Sequence, residues 1–535
     1  MKQIDTTAAE WEAKTNYLYL TYWGSEDDII FEKKKKIAVL GSGCYRIGSS
    51  VEFDWCCVNM AWAMKKYADE IIMINYNPET VSTDYDTVDK LYFDELTLER
   101  ILDITDKENP EGVIVSVGGQ IPNNLALPLA EQGVKILGTS AQNIDNAEDR
   151  SKFSSLLDCI GVKQPEWAIL SSIESAKAFS EKAGYPVLVR PSYVLSGSAM
   201  TVIFDDAQLG AYMGGMNGEK NVTISKFLTN AKEVEIDGVR GERVYVGAIL
   251  EHIENGGVHS GDATMVIPTV TISEKTKDTL RSIAVKVADA LDIRGPFNIQ
   301  FLVKDGDAYV IECNVRSSRS MPFVSKATGR NLMDIAARAI MNEPMSEEYA
   351  EPSRYCVKFP QFSFTRMGAD PLTGVEMVST GEVACFGATF GEAFMKAAIA
   401  GDVKLPGEDS AIFVTVGGDK SRIEGPMRML STKFRIYATD TTADFLRSKG
   451  IKCTTLYKVN EDRQPNLLDY LIEKKLDMVI NIPDLSQNAQ QVLQDEALIR
   501  KKATEFGVPV ITNMELLDVE ARVLSSMNLE DLVKV

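Results

Sequence analysis

Between Gln300 and Arg319 the chain reads QFLVKDGDAYVIECNVRSSR. Two strand-like runs flank Asp305-Gly306-Asp307, the chemistry of a tight hairpin turn. Gln300 falls on the first strand. Glu312 and Asn314 fall on the second, two apart, so their side chains leave one face. Arg316 and Arg319 follow where the strand ends. Amide and carboxylate oxygens beside guanidinium forks suit a divalent cation carrying phosphates. An ordinary surface hairpin with mixed polar residues gives the same letters. Register separates the two readings. A two-residue Asp-Gly turn puts Gln300 and Glu312 on opposite faces, whereas a three-residue loop with a glycine bulge puts them on the same one. The metal reading therefore predicts the three-residue loop.

A chain of 535 residues has room for three or four domains around ample cores. Its net charge of −20 argues against a nucleic-acid or anionic-membrane partner, leaving only a local basic pocket for anions. Eight cysteines without a CxxC pair fit a reduced, cytoplasmic setting. The start, MKQIDTTAAE, lacks an apolar signal core, and no apolar run is long enough to span a bilayer. Only two histidines occur, His252 and His259, which disfavours a histidine triad or a histidine-rich zinc site. Any chemistry must fall to Arg, Glu, Asn and metal.

Residues 1–32 mix aromatics with acids and read as a linker or interface segment. It covers either this chain's own domains or a partner subunit. From 33 to 147 the rhythm is strand–loop–helix. A strand over Lys36–Leu40 leads through Gly41-Ser42-Gly43 into a helix over Ser50–Tyr67. Glycines there suit an anion at a helix N-terminus. The next strand ends in Asn77-Pro78-Glu79 rather than a ribose-binding acid, which favours a Rossmann-like scaffold without NAD. Residues 148–405 form a larger body. A small-residue loop at Leu195–Ala199 either folds over phosphates or is a flexible hairpin tip. Glu233, Glu235 and Asp237 share a strand face; three such acids are usually solvated, or one holds ribose hydroxyls. Residues 406–535 restart a strand–helix rhythm, with Thr439, Thr442 and Asn481 at strand ends. Open α/β sheets bind ligands at such ends, and Thr and Asn are also plain caps there.

Several runs carry a further signal: GSGCYRIGSSVEFDWC, NYNPETVSTDYD, SVGGQIPNNLA, AEDRSKF, RPSYVLSGSAM, EHIENGGVHSGD and RSSRSMPFVSKATG. Together they resemble the large subunit of carbamoyl phosphate synthetase, specifically its C-terminal half. The resemblance implies an α/β architecture of a Rossmann-like pre-ATP-grasp domain, an ATP-grasp domain and a methylglyoxal-synthase-like regulatory domain. It implies an ATP-grasp ligase that phosphorylates carbamate for arginine and pyrimidine biosynthesis. ATP is the cofactor, with Mg²⁺ or Mn²⁺, two per site, and K⁺ as a candidate.

By the same resemblance Arg150, Arg190, Lys226, Leu228, Glu233, Gly257, Val258, His259 and Ser260 line the nucleotide. Gln300, Glu312 and Asn314 hold metal, and Gln300 and Glu312 also face the nucleotide. Asn314, Arg316 and Arg319 act on the transferring phosphoryl group. Each motif occurs once, so the chain looks like a split or excised half. It would work with an N-terminal half and a glutaminase small subunit, as an oligomer. Thr439, Thr442 and Asn481 fall at the effector site. Lys458 and Asp484 depart from the acetylglutamate-type pattern, and no acid near Phe359 matches the ornithine type. Two alternatives are an ATP-grasp ligase for another carboxylate and a nucleotide-binding half without turnover.

Overall fold

The computed structural model describes residues 1–4, 16–170, 172–191, 200–215, 222–364, 368–484 and 490–526. The chain forms two compact units: Met1–Glu251 with Ile267–Pro352, and His252–Val266 with Ser353–Val535.

The first unit opens on a six-stranded sheet. Its order is Lys2–Gln3, Asn16–Tyr19, Lys90–Phe93, Glu70–Asn75, Lys36–Leu40, Val113–Ile114. All pairings are parallel except the first. The run KIAVL is buried along its whole length, as a central parallel strand requires. That burial includes Lys36. Its ammonium pairs with buried Glu108 at 2.6 Å, which also takes Lys90 at 3.0 Å and the Tyr92 hydroxyl. Interior charge at this depth persists only when paired in this way.

The N-terminal segment is not an open linker over its described residues. Asn16–Tyr19 pairs with Lys90–Phe93, and Leu18 enters the core. Trp23 remains 98% exposed. The glycine loop packs on protein. A Cβ at Gly41 would sit 2.3 Å from the Asn75 side chain, and Gly43 N donates to Asn75 Oδ1 at 2.9 Å. These glycines allow close strand-to-loop approach, a structural reason for the motif.

The rest of the first unit carries two antiparallel sheets. The smaller runs Trp167–Leu170, Val222–Lys226, Val187–Pro191, Thr201–Ile203. Helices Ile173–Ala183 and Asp206–Gly215 accompany it, with a small core of Leu170, Val187, Val189, Ile203 and Ile224. The larger includes, in order, Asp307–Asn314, Gly295–Lys304 and Lys232–Arg240. Phe297, Ile299, Phe301, Val310 and Cys313 point to one side and join the main core with helix Glu274–Ala290. The alternating polar residues point to the other.

The hairpin corrects the sequence-based turn. Lys304 faces Asp307 directly, and Asp305 and Gly306 both have positive φ (52° and 83°), so the loop has two residues. Gln300 nevertheless faces Glu312. The register shifts between Gln300 and Phe301, whose partners are Glu312 and Val310, so Ile311 is an extra residue. A bulge inside the strand supplies the phase change that a longer turn would otherwise have made.

The second unit pairs Tyr355–Gln361 with Gly381–Gly387 under helix Phe390–Ala400. It also holds a five-stranded parallel sheet ordered Thr454–Thr455, Arg435–Ala438, Ala411–Val416, Met478–Ile482, Val510–Ile511. Glu520, on helix Met514–Ser526, is buried. Burial and the neighbouring Glu254 push its carboxyl up to about 8. A carboxyl raised on folding stabilises below its unfolded pKa and loses that contribution as pH rises through the folded value. Glu520→Gln should therefore stabilise this unit by on the order of 2 kcal/mol at pH 8 and far less at pH 5. Melting curves at the two pH values check this; an equal gap at both would refute it.

Candidate active site

Cross-strand pairing builds the site in rows. Glu235, Gln300 and Glu312 stand opposite one another across three strands, and Asp237, Asn298 and Asn314 form the next row. Glu233 lies on the same face, opposite Leu302. Glu233, Glu235 and Asp237 are all buried, which corrects the expectation that three such acids are solvated. They persist because donors meet them. Asn298 Nδ2 donates to Glu235 at 2.8 Å and to Asp237 at 2.9 Å. Ser318 and Ser320 hydroxyls donate to Asp237 at 2.7 Å each. Burial and Glu235 push Asp237 up to about 7 against the pull of those donors.

Glu312 is the electrostatic centre. Burial opposes its charge, but the guanidinium charges of Arg150, Arg190 and Arg316 overcome this and hold it down to about 2. Arg150 makes a direct ion pair with it. Arg150 Nη1 also donates at 2.6 Å to the carbonyl of Ile311, the bulged residue. The bulge thus turns both a carboxylate and a carbonyl toward helix Arg150–Cys159. Arg190, on Val187–Pro191, feels the opposite balance. Burial and Arg150 press its pKa down, and Glu312 offsets them.

The arginines beyond the strand are held in place. Arg316 Nη2 donates to Asn314 Oδ1 and to Gln120 Oε1, both at 3.0 Å. Its guanidinium lies 5.8 Å from the Phe53 ring centroid. Ser317 anchors the segment on the first sheet, through N to Ser116 O at 2.8 Å and Oγ to Val117 O at 2.9 Å. Arg319 forms an ion pair with Glu52, with Nε to Oε1 at 2.8 Å. Glu52 is buried in the first turn of helix Val51–Met64, and Arg319 keeps its carboxyl ionised despite that burial.

Lys226 ends the strand Val222–Lys226 and donates to Gly184 O at 2.8 Å and Tyr185 O at 3.0 Å; Leu228, half-buried, follows it. Gly257, Val258, His259 and Ser260 lie in the second unit, in the loop after strand Val244–Asn255. There His259 N donates to Gly374 O at 2.7 Å, and Lys358 Nζ donates to Ser260 O at 3.2 Å. The loop at Leu195–Ala199 lies outside the described residues. In the parallel sheet, Thr439 Oγ1 bonds Thr415 Oγ1 at 3.1 Å and Thr442 Oγ1 at 3.3 Å, while Asn481 faces Thr415 across the pairing. Arg500 Nη1 donates to Asn481 at 2.8 Å. Thr439 and Asn481 thus flank Thr415, and Thr442 joins them through Thr439.

Sequence reasoning missed Asn298, Gln120, Glu52, Thr415 and Arg500. Asn298 carried a legible signal, since it precedes Gln300 by two residues and so shares its face. Glu52 and Gln120 carried none, because only tertiary packing brings them to the arginines.

Gln300, Glu312 and Asn314 offer two amide oxygens and one ionised carboxylate, with guanidiniums alongside. Hard oxygen donors of this kind fit Mg²⁺ or Mn²⁺, and the cations fit phosphate oxygens.

Comparison with known proteins agrees with this architecture. Residues 33–146 match the family described as Carbamoyl phosphate synthase preATP-grasp domain, and residues 149–348 match Carbamoyl-phosphate synthase L chain, ATP binding domain. Residues 427–512 match the MGS-like domain. The multifunctional protein pyrABCN of Emericella nidulans is 46% identical over 533 residues, covering 96% of this chain and 23% of that protein. The multifunctional protein URA2 of Saccharomyces cerevisiae is 45% identical, with 96% and 24% covered. The mitochondrial carbamoyl-phosphate synthase [ammonia] of Aquarana catesbeiana is 45% identical, with 98% and 36% covered. The chain therefore spans about a quarter to a third of the curated relatives it matches.

Among solved structures, the biotin carboxylase domain of Hydrogenobacter thermophilus 2-oxoglutarate carboxylase aligns with TM-score 0.55 at 17% identity, over 69% of this chain and 90% of that one. Campylobacter jejuni biotin carboxylase aligns with TM-score 0.55 at 16%, over 69% and 91%. These two share the ATP-grasp fold. Among the described residues no helix is long and apolar enough to cross a membrane. With a pre-ATP-grasp domain, an ATP-grasp domain and an MGS-like domain in succession, and relatives matched over nearly its whole length, the chain belongs to the carbamoyl phosphate synthetase large-subunit family.

Proposed function

We propose that this chain transfers the γ-phosphoryl group of ATP to carbamate, giving carbamoyl phosphate and ADP for arginine and pyrimidine biosynthesis. The observation that carries the reading is Glu312, kept ionised among Arg150, Arg190 and Arg316 in one row with Gln300. Phosphoryl transfer asks the protein mainly for positioning and charge, not a nucleophile. Arg190, Arg316 and Arg319 offset charge on the equatorial phosphoryl oxygens, and Arg150 orients the nucleotide phosphates. Lys226 to Leu228 hold the adenine and Glu233 takes the ribose hydroxyls in this reading, and the resemblance assigns Gly257 to Ser260 to the nucleotide as well. Gln300, Glu312 and Asn314 would hold Mg²⁺ or Mn²⁺, two per site, and a bound cation supplies further charge offset on the β- and γ-phosphates. K⁺ is a second cation to test. Thr439, Thr442 and Asn481 form the effector site in this reading. The division at 1–32, 33–147, 148–405 and 406–535 assigns the roles of interface, scaffold, catalysis and regulation.

Carbamate is labile, which favours delivery from a partner that carries the N-terminal half, with a glutaminase subunit supplying ammonia, in a cytoplasmic oligomer. The test avoids carbamate by running the reaction in reverse. The purified chain should make ATP from ADP, carbamoyl phosphate and Mg²⁺. Addition of the other half should permit synthesis from ATP, bicarbonate and ammonia. A chain that binds ADP and forms no ATP from carbamoyl phosphate would sink the proposal.

A further inference from the structure

An asparagine ligand poses a problem that a carboxylate does not. Its two ends are nearly the same shape, yet one carries oxygen and the other two N–H donors. Presented the wrong way, it aims hydrogens at a cation. Something must set its polarity, and the next row of the sheet contains a device for doing so. Asp237 is fully buried and, when ionised, can only accept. Asn298 must therefore turn its Nδ2 toward Asp237, at 2.9 Å, and its other amide hydrogen meets Glu235 at 2.8 Å. With both hydrogens committed to carboxylates, Asn298 Oδ1 faces the neighbouring strand. There it accepts from Asn314 Nδ2 at 3.4 Å. Asn314 Oδ1 consequently points the other way, where Arg316 Nη2 reaches it at 3.0 Å. The same carboxylate holds Ser318 and Ser320, and with them the segment carrying Arg316 and Arg319.

We propose that Asp237 is a positioning residue. Through Asn298 it fixes which end of the Asn314 amide faces the divalent cation, and through the two serines it locks the arginine segment to the same strand. This rests on the metal-site reading given above. Outer partners of metal ligands typically contribute a factor of about 10–100 in metal affinity.

The test reads Mn²⁺ binding by electron paramagnetic resonance on the full chain with ADP at pH 8. Asp237→Asn should weaken Mn²⁺ binding about 10–100-fold. In an Asn314→Asp background, where the ligand has no polarity to set, adding Asp237→Asn should change affinity by less than about 2-fold. Asn298→Ser keeps Asp237 bonded to Ser318 and Ser320 and should show the same pattern, which covers the case in which Asp237→Asn fails to fold. Equal losses in both backgrounds, or no loss in either, would overturn the relay and leave Asp237 a purely structural residue. Failure of the unaltered chain to bind Mn²⁺ with ADP would instead overturn the metal site itself.

Discussion

Glu312→Gln should lower ATP formation from ADP and carbamoyl phosphate by about 10³-fold while the circular dichroism spectrum stays that of the parent protein. Loss of one preorganised charge-stabilising group at a reacting centre typically costs about 10²–10³ in rate, and here the charge also balances three guanidiniums. The glutamine keeps the shape and the Arg150 hydrogen bond but removes the negative charge that Arg150, Arg190 and Arg316 surround. Three guanidiniums then lose the counter-charge they share. Nucleotide affinity measured without divalent cation should hold or rise as a result, because the nucleotide phosphates are the remaining anions available to them. Turnover within 10-fold of the parent would remove Glu312 from the centre of the site.

Arg319→Ala should cost the fold as well as the chemistry. Arg319 is the cation that keeps Glu52 ionised inside the first unit, and Glu52 is only 4% exposed. Deleting one member of a buried pair typically destabilises by about 3–5 kcal/mol, since the other is left charged and unpaired. A loss of activity in Arg319→Ala is therefore ambiguous alone. The double variant Glu52→Gln with Arg319→Ala separates the two effects. Stability should recover by at least half in urea titration while turnover stays low. Recovery of both would make Arg319 a structural partner of Glu52 and no more.

The domain order and the parallel sheets were legible in the sequence because buried parallel strands leave near-continuous apolar runs, such as KIAVL and AIFVTV. Gln300, Glu312 and Asn314 were legible as a constellation because strand periodicity constrains residues two apart. Their register was not. The Asp-Gly letters fit the two-residue turn, but a bulged strand leaves no letters of its own, and Ile311 reads like any strand residue. The acids Glu233, Glu235 and Asp237 misled for a related reason. Three acids on one face are solvated unless something covers them, and the covering groups, Asn298, Ser318 and Ser320, lie more than 60 residues away. Glu52 sits farther still from its arginine, so no local pattern could join them.

The bulge at Ile311 also separates two parts of one hairpin. Tipward of it the ladder follows the two-residue Asp305-Gly306 turn; beyond it Glu312 and Asn314 follow the opposite phase. Taking Asp307 out of the ladder into a three-residue tip would bring the two phases into agreement and let the strand straighten. Gln300 and Glu312 would still share a face, but the Ile311 carbonyl would return to the ladder and Arg150 would lose its 2.6 Å bond. Tip length is thus free to vary without scrambling the ligands, and the anchoring of Arg150 is the property that such variation would adjust.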